Sequence, residues 1–188
     1  MASKYWQEIR KLNVLGKLRN KITLPAFAVR SGHDNGSAFF RPSVANGFVK
    51  TTNTDNTFKT AFSFECWYKT SSSHTTLGTI FENIRFNSGG FNIRVSVLDN
   101  KIVVKVLKGA AVSTLTSASV YYFAEWAHLC VTYDGVTVKI YQNGVQDANT
   151  LAIAANLDAD AGSQYLLRFA SGTAGAFVFN GFLSEIRV

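Results

Sequence analysis

The sequence is poor in the residues that define several other protein classes. Its 188 residues include only two prolines, two cysteines and one methionine, and charged residues make up 16%. Two cysteines are too few for a disulfide-rich scaffold, and the 47% hydrophobic content argues against intrinsic disorder. No apolar run reaches the length of about 18 residues that predicts a membrane-spanning helix. The length predicts one domain with a sizeable core.

Strand-forming residues are abundant instead. The chain has 15 Phe and 7 Tyr, together with many Thr and Val, and this bias favours β-strands. From about residue 37 onward, apolar and polar residues alternate with a period of two. Turn residues such as Asn46-Gly47 and Asp99-Asn100 separate the short segments. The pattern predicts an all-β sandwich or barrel, whose last two strands are expected at Tyr165–Phe169 and Phe177–Val188.

The basic character of the chain is concentrated at its N-terminus. Residues 1–22 carry six basic residues and one acidic residue, which gives +5 of the total charge of +7. Apolar residues recur there at i, i+4, i+7 and i+10, a spacing that predicts a short amphipathic helix. The stripe consists of Tyr5, Ile9, Leu12 and Leu15. We therefore expect residues 1–30 to form an N-terminal arm and residues 31–188 to form the folded domain.

This arm is predicted to pack on its own domain or to anchor the chain to a partner through the apolar stripe, with Arg10 and Lys11 beside it. Nucleic acid or an anionic membrane surface is the alternative partner, because basic segments bind both. The basic residues are interleaved with apolar ones, whereas tails that package nucleic acid are usually denser. No uninterrupted apolar segment with a small-residue cleavage site is present, so no secretory signal is expected.

The stretch EWAHLCVTYDGVTVKIYQNGVQ, from Glu125 to Gln146, combines aromatic residues, a histidine and two turn signals. It could form a catalytic or binding cluster, or it could be the packing pattern of a sheet. The alternation favours packing, with strands either side of an Asp134-Gly135 turn in which both residues have positive φ. His128 is then expected to be a packed, hydrogen-bonded histidine on a core strand. The side chains predicted to be buried in the sandwich are Trp67, Trp126, Phe64, Val131, Val138 and Ile140.

The segment WAHLCVTYDGVTVKIYQNG resembles the central motif of laminin-G-like and pentraxin-like domains. AFSFECWYKT is similar to an early strand of that family, GSAFFRPSVANGFVKT to its first strand, and FNGFLSEIRV to its closing strand. The resemblance covers roughly residues 36–188. It implies a concanavalin A-like jelly-roll β-sandwich, the fold of the lectin and glucanase superfamily.

The resemblance also implies a pairing of the two cysteines. Cys66 and Cys130 stand where pentraxin-like members carry their intradomain disulfide, each on a matched strand. The sequence leaves open whether the two thiols are oxidised, because that depends on the compartment. A zinc site is not expected, since two cysteines and scattered histidines lack the ligand spacing.

Catalysis is not expected. The glucanase branch of the superfamily needs paired carboxylates, usually as Glu-x-Asp-x-x-Glu, and no such triplet occurs. Glu65 alternates with Phe64 and Cys66, so it is predicted to face solvent. No Gly-x-Ser-x-Gly motif and no P-loop is present. The sequence predicts a non-catalytic module.

Family members often bind calcium or glycans through loops. Calcium prefers several oxygen ligands, and the weak candidates here are Asp34, Asn35, Asp55, Asp158 and Asp160. Turn formation explains the same residues equally well, since Asp and Asn favour such bends. The loop ASGTAGA has no carboxylate where pentraxin-like members place an acidic loop, which argues against their double-calcium site.

Three functions are compatible with these observations. The first and favoured one is a structural or display module fixed by its arm to a larger assembly, such as a decoration, fibre or tail component of a virion, with glycan adhesion as an added role. The second is a free carbohydrate-binding lectin. The third is a small viral coat protein whose arm contacts nucleic acid. The favoured interpretation places the protein on a virion or another extracellular assembly after cytoplasmic synthesis.

Overall fold

The computed structural model describes residues 38–40, 49–53, 61–85, 91–108, 111–122, 124–153, 165–171 and 177–188. Within these ranges the chain forms twelve strands, and none of it forms a helix long and apolar enough to cross a membrane. The strands are β1 (Ala38–Phe40), β2 (Val49–Asn53), β3 (Phe62–Thr70), β4 (Gly78–Arg85), β5 (Phe91–Leu98), β6 (Lys101–Lys108), β7 (Ala111–Val120), β8 (Ala127–Tyr133), β9 (Thr137–Gln142), β10 (Val145–Ala152), β11 (Tyr165–Phe169) and β12 (Gly181–Arg187).

The strands form two six-stranded sheets. Sheet 1 has the order β1-β12-β3-β8-β9-β10, and sheet 2 has the order β2-β11-β4-β5-β6-β7. Every pair of neighbouring strands is antiparallel. The predicted all-β jelly-roll sandwich is confirmed, and the two closing strands lie in different sheets.

The core lies between the inner faces of the sheets. Phe64 on β3 stacks on Phe81 of β4, with ring centroids 4.6 Å apart. Phe64, Val131, Val138 and Ile140 are completely buried, as predicted. Each such side chain stabilises the fold by about 1.5–3 kcal/mol relative to an exposed position.

Two of the predicted core residues are on the wrong side of sheet 1. Trp67 is 39% exposed and Trp126 is 40% exposed. Trp67 alternates with Cys66 and Tyr68, which both point into the core, so its indole lies on the outer face. Trp126 stands immediately before β8 and also lies outside the core.

The two turns of the central meander differ from each other. Asn143 and Gly144 both have positive φ, at 51° and 80°, which is the geometry of a two-residue hairpin turn. At the other turn, Gly135 has positive φ and Asp134 does not. The carboxylate of Asp134 instead accepts hydrogen bonds from the backbone N–H groups of Val136 (3.0 Å) and Thr137 (2.7 Å). The predicted pair of positive φ angles is therefore wrong at Asp134.

The strands that carry the two cysteines are neighbours, but the thiols are free. Cys66 lies opposite Leu129 and points into the core, whereas Cys130 lies opposite Glu65 and points outward. A one-residue offset in register moves a side chain to the other face of a sheet. The disulfide implied by the family resemblance is thus absent, because the two side chains point away from each other. Burial raises the pKa of the Cys66 thiol, and the neighbouring Glu65 adds to this effect.

One edge of the sandwich is closed by side chains. We call this contact between β7 and β10 the seam. The register is irregular on β10 between Gln146 and Thr150, and on β7 next to Ser117. Ser117 Oγ accepts a hydrogen bond from the Ile102 N–H, in place of a backbone carbonyl of β7. Each strand therefore bulges at the seam.

The outer side of sheet 2 carries a buried ion pair. Glu82 on β4 faces Arg94 on β5, and its Oε1 accepts hydrogen bonds from Nε of Arg94 at 2.7 Å and from Nη2. Glu82 is fully buried and Arg94 is 7% exposed. The ring of Phe177 covers the Arg94 guanidinium, 4.9 Å from its centroid.

A candidate binding face on sheet 1

The outer face of sheet 1 presents two partly exposed tryptophans next to charged groups. Alternation along β3 brings Glu65, Trp67 and Lys69 to this face, because Phe64, Cys66 and Tyr68 occupy the core face. On β8 the outward residues include His128 and Cys130.

Strand register sets the positions of the aromatic residues. Trp67 lies directly opposite His128, and Lys69 lies opposite Phe182 of β12. The ring of Trp126 lies 6.2 Å from that of Phe182. The side chain of Trp126 thus lies across β3, the strand between β8 and β12. The pairing of Tyr68 with Ala127 places Trp126, the residue before β8, one row away from Trp67; backbone positions related in this way are about 7–8 Å apart.

We call the group Trp67, Trp126, Phe182 and His128 the aromatic platform. The imidazole of His128 packs edge-on against Trp67 with a centroid distance of 5.3 Å. The Lys69 ammonium lies 5.9 Å from the centroid of Phe182, within the range of a cation–π contact. Side chains that pack on each other in this way hold the two indoles in place, and both indoles still reach solvent.

A charged rim borders the platform. Glu65 Oε1 accepts a hydrogen bond from Arg187 Nη1 at 2.8 Å, and Glu65 Oε2 lies 3.6 Å from His128 Nε2. The hydrogen bond to Glu65 raises the pKa of Arg187, so its guanidinium stays positively charged. Carboxylate and guanidinium groups are thus held side by side at the edge of an aromatic surface.

The structure refines two predictions about this region. His128 lies on a central strand and packs against Trp67 as expected, and it does so on the outer face, where 27% of its side chain is exposed. Its position follows from alternation on β8, where Leu129 is buried. Glu65 does face outward, but it is ion-paired and only 31% of its side chain is exposed. The tryptophan pair was missed, although the alternation that buries Phe64 and Tyr68 already placed Trp67 on the outer face.

The remaining predicted sites lie outside the described residues. This applies to the calcium candidates Asp34, Asn35, Asp55, Asp158 and Asp160, and to the anchor residues Tyr5, Ile9, Arg10, Lys11, Leu12 and Leu15. In the part of the chain that the structure describes, no group of three or more His, Cys, Asp or Glu side chains is arranged to hold a metal ion.

Two six-stranded antiparallel sheets with this order define a lectin-like β-sandwich. Residues 43–188 match the laminin G family of the concanavalin A-like lectin/glucanases superfamily. The chain belongs to this family. Laminin-G-like domains are generally non-catalytic binding modules, and the fold suggests a carbohydrate-binding or adhesion domain.

Solved structures of low sequence identity share the fold. The receptor-binding domain of botulinum neurotoxin type G superposes with a TM-score of 0.66 at 14% identity, over 89% of this chain and 42% of that one. Domains LG4-5 of the mouse laminin α1 chain superpose with a TM-score of 0.67 at 13% identity, over 86% of this chain and 44% of that one. The chain spans less than half the length of either structure. No curated protein matches the sequence.

Proposed function

We propose that this protein is a non-catalytic glycan-binding adhesion module that is attached by its N-terminal arm to a larger assembly. The observation that carries the binding part is the pair of tryptophans on the outer face of sheet 1, each about 40% exposed. Large aromatic surfaces on soluble proteins usually mark binding sites. The lectin-like fold makes a glycan the favoured ligand.

The chemistry of the face supports binding rather than hydrolysis. A glycosidase places two carboxylates about 5–9.5 Å apart across the scissile bond. The carboxylate on this face that borders the platform, Glu65, is already engaged by Arg187 and lies near His128. The indoles offer flat apolar surfaces of the kind on which the C–H face of a pyranose ring packs.

A glycan array and a thermal-shift series test the binding part. The purified full chain should bind a subset of the glycans and should melt at a higher temperature in their presence, since a ligand that binds only the native state stabilises it. Release of reducing sugar from any bound polysaccharide would show an enzyme instead. Failure to bind any glycan would remove the adhesion role.

Attachment to an assembly, for which we propose a virion, rests on the sequence of the arm. Residues 1–22 hold +5 of the total charge together with the apolar stripe. An isolated helix of this length is marginal in water, so a partner surface would stabilise it. The alternatives are a free lectin, and a small coat protein whose arm contacts nucleic acid.

Co-sedimentation with the assembled particle at two salt concentrations tests this part. Ile9→Asp with Leu12→Asp should abolish attachment, while charge reversal at Arg10 and Lys11 should weaken it less. Loss through salt and charge reversal alone would favour nucleic acid or an anionic surface. Full incorporation of the Ile9→Asp, Leu12→Asp protein would show that the arm is not the anchor.

A further inference from the structure

We infer that the aromatic platform binds an extended, uncharged polysaccharide chain, with pyranose rings over Trp67 and Trp126, and this inference rests on the proposed glycan-binding function. Three features of the described face support it: the shape of the surface, the spacing of its indoles and the balance of its charges.

The shape of the surface favours a chain over a single terminal sugar. The platform is built on β3, β8 and β12, three hydrogen-bonded neighbours in the middle of sheet 1. Among the described residues its side chains project from a sheet face, so a ligand there meets a surface instead of a deep pocket. A single sugar on such a surface buries little area, whereas successive sugars of one chain bury more area for one loss of translational freedom.

The spacing of the two indoles points to more than one contact per ligand. Trp67 lies on β3, and Trp126 directly precedes the neighbouring strand β8. Phe182 continues the surface beyond Trp126, with ring centroids 6.2 Å apart. The Trp67 ring packs on His128 of β8 and the Trp126 ring packs on Phe182 of β12, so the two indoles offer two separate stacking positions. Two linked stacking sites act together, because the second contact forms within an already bound chain.

The charges next to the platform exclude an acidic glycan as the preferred ligand. Arg187 is paired with Glu65 at 2.8 Å, and the Lys69 ammonium lies over the Phe182 ring. An anion would have to compete with Glu65 for the guanidinium, and no cluster of cations surrounds the indoles among the described residues of this face. The Glu65–Arg187 pair instead offers an acceptor and a donor to neighbouring hydroxyl groups.

Affinity electrophoresis and calorimetry on the full-length protein test the inference. The probes are four neutral soluble polysaccharides (a β-mannan, xyloglucan, a mixed-linkage β-glucan and starch), their monosaccharides, and heparin as the anionic comparison. At least one neutral chain should bind, and Trp67→Ala and Trp126→Ala should each weaken binding about tenfold or more. Phe177→Ala is the matched control, since Phe177 is 43% exposed but packs on sheet 2.

Each outcome has one meaning. Trp67→Phe keeps an aromatic ring, so partial binding in this variant with native circular dichroism separates lost stacking from lost folding. A neutral chain that binds both alanine variants as tightly as the wild type would overturn this site and leave the proposed function intact. Monosaccharides that bind as tightly as chains would overturn the extended ligand, and preference for heparin would overturn the uncharged one. If no probe binds, this inference fails, and the glycan array decides separately whether the proposed function stands.

Discussion

Asp147 on β10 accepts a hydrogen bond of 2.9 Å from the backbone N–H of Ser119 on β7, and so joins the edge of one sheet to the edge of the other. Its second carboxylate oxygen accepts the N–H groups of Ala118 at 2.8 Å and Asn149 at 2.9 Å. Asn149 in turn donates to the carbonyl of Thr116 on β7. The bulges of the seam thus free backbone groups that these two side chains satisfy.

The seam predicts an acid-sensitive contribution to stability. Burial alone would raise the pKa of Asp147, but the N–H groups of Ala118, Ser119 and Asn149 hold it below its ordinary value. A carboxyl with a depressed pKa in the folded state stabilises the protein above the unfolded value of about 3.9, and this contribution is lost as pH falls through the folded value. Asp147→Asn should therefore cost about 1–3 kcal/mol of unfolding free energy at pH 7.

Urea unfolding at several pH values measures this effect. The difference between wild type and Asp147→Asn should shrink as pH drops below about 3.9, because the wild-type carboxyl becomes protonated. Glu125→Gln is a control, since Glu125 is exposed just before β8. An Asp147→Asn protein that equals the wild type at pH 7 would contradict the role of the seam.

The Glu82–Arg94 pair predicts a strongly non-additive mutant cycle. Glu82→Gln removes the acceptor charge and leaves Arg94 buried, which should cost about 3–5 kcal/mol. Replacing both residues, as Glu82→Leu with Arg94→Met, should restore part of that loss, because the buried Arg94 guanidinium is then gone, while the half-buried Arg168 opposite position 82 still lacks its acidic neighbour. Chemical denaturation of the two single variants and the double variant gives the coupling energy. Additive losses would show that the pair does not act as a unit.

The glycines of Asn143-Gly144 and Asn180-Gly181 are expected to differ in their tolerance to replacement by alanine. A Cβ on Gly181 would overlap the carbonyl oxygen of Lys69 and lie 2.9 Å from the Phe179 ring, so Gly181→Ala should cost about 3 kcal/mol or more. Gly144 has open space around it and a φ of 80°. Gly144→Ala should therefore cost only about 1–2 kcal/mol through backbone strain. Equal melting temperatures of the two variants would contradict this distinction.

Protonation of His74 is expected to make the free energy of unfolding depend on pH a second time, in a higher pH range than Asp147 does. Its ring stacks on Phe179 with centroids 5.6 Å apart, and burial lowers its pKa, which a hydrogen bond to the Asn180 backbone only partly opposes. A histidine with a lowered pKa in the folded state contributes full stability above the unfolded value of about 6.5 and loses it as pH falls.

The measurement is the urea midpoint between pH 7.5 and 5. The wild type should lose stability over this range, while His74→Phe should lose less, because it keeps the stacked ring and has no proton to gain. A His74→Phe slope equal to that of the wild type would assign the dependence to other groups.

Alternation and turn residues were enough to predict the all-β fold and the strands either side of Asp134-Gly135. The segment AFSFECWYKT shows how: Phe64, Cys66 and Tyr68 are buried, as their spacing indicates. The same spacing places Trp67 outside, and size alone suggested burial. Large aromatic residues are often buried, so composition and periodicity conflicted at this residue, and periodicity determined the outcome.

Contacts that depend on the register between strands could not be predicted from the sequence. The family resemblance implied neighbouring strands for Cys66 and Cys130, and they are neighbours, but a one-residue offset separates their side chains across the sheet. The sequence does not predict the seam for the same reason, since bulges in β7 and β10 bring Asp147 to Ser119 without a local sequence signal. Long-range register is set by the whole fold and not by the segment.

The position of β12 has a consequence for synthesis on the ribosome. β12 is the last described strand in chain order, yet it lies between β1 and β3 inside sheet 1. Its partners reach far back along the chain, as in the facing of Arg187 with Glu65. Until residues 181–187 have emerged, β3 exposes one unpaired backbone edge and part of its core face. Sheet 1 therefore cannot be completed before β12 has been synthesised, and the partly folded chain is prone to aggregation until then. Chaperone contact is expected to be greatest during that interval.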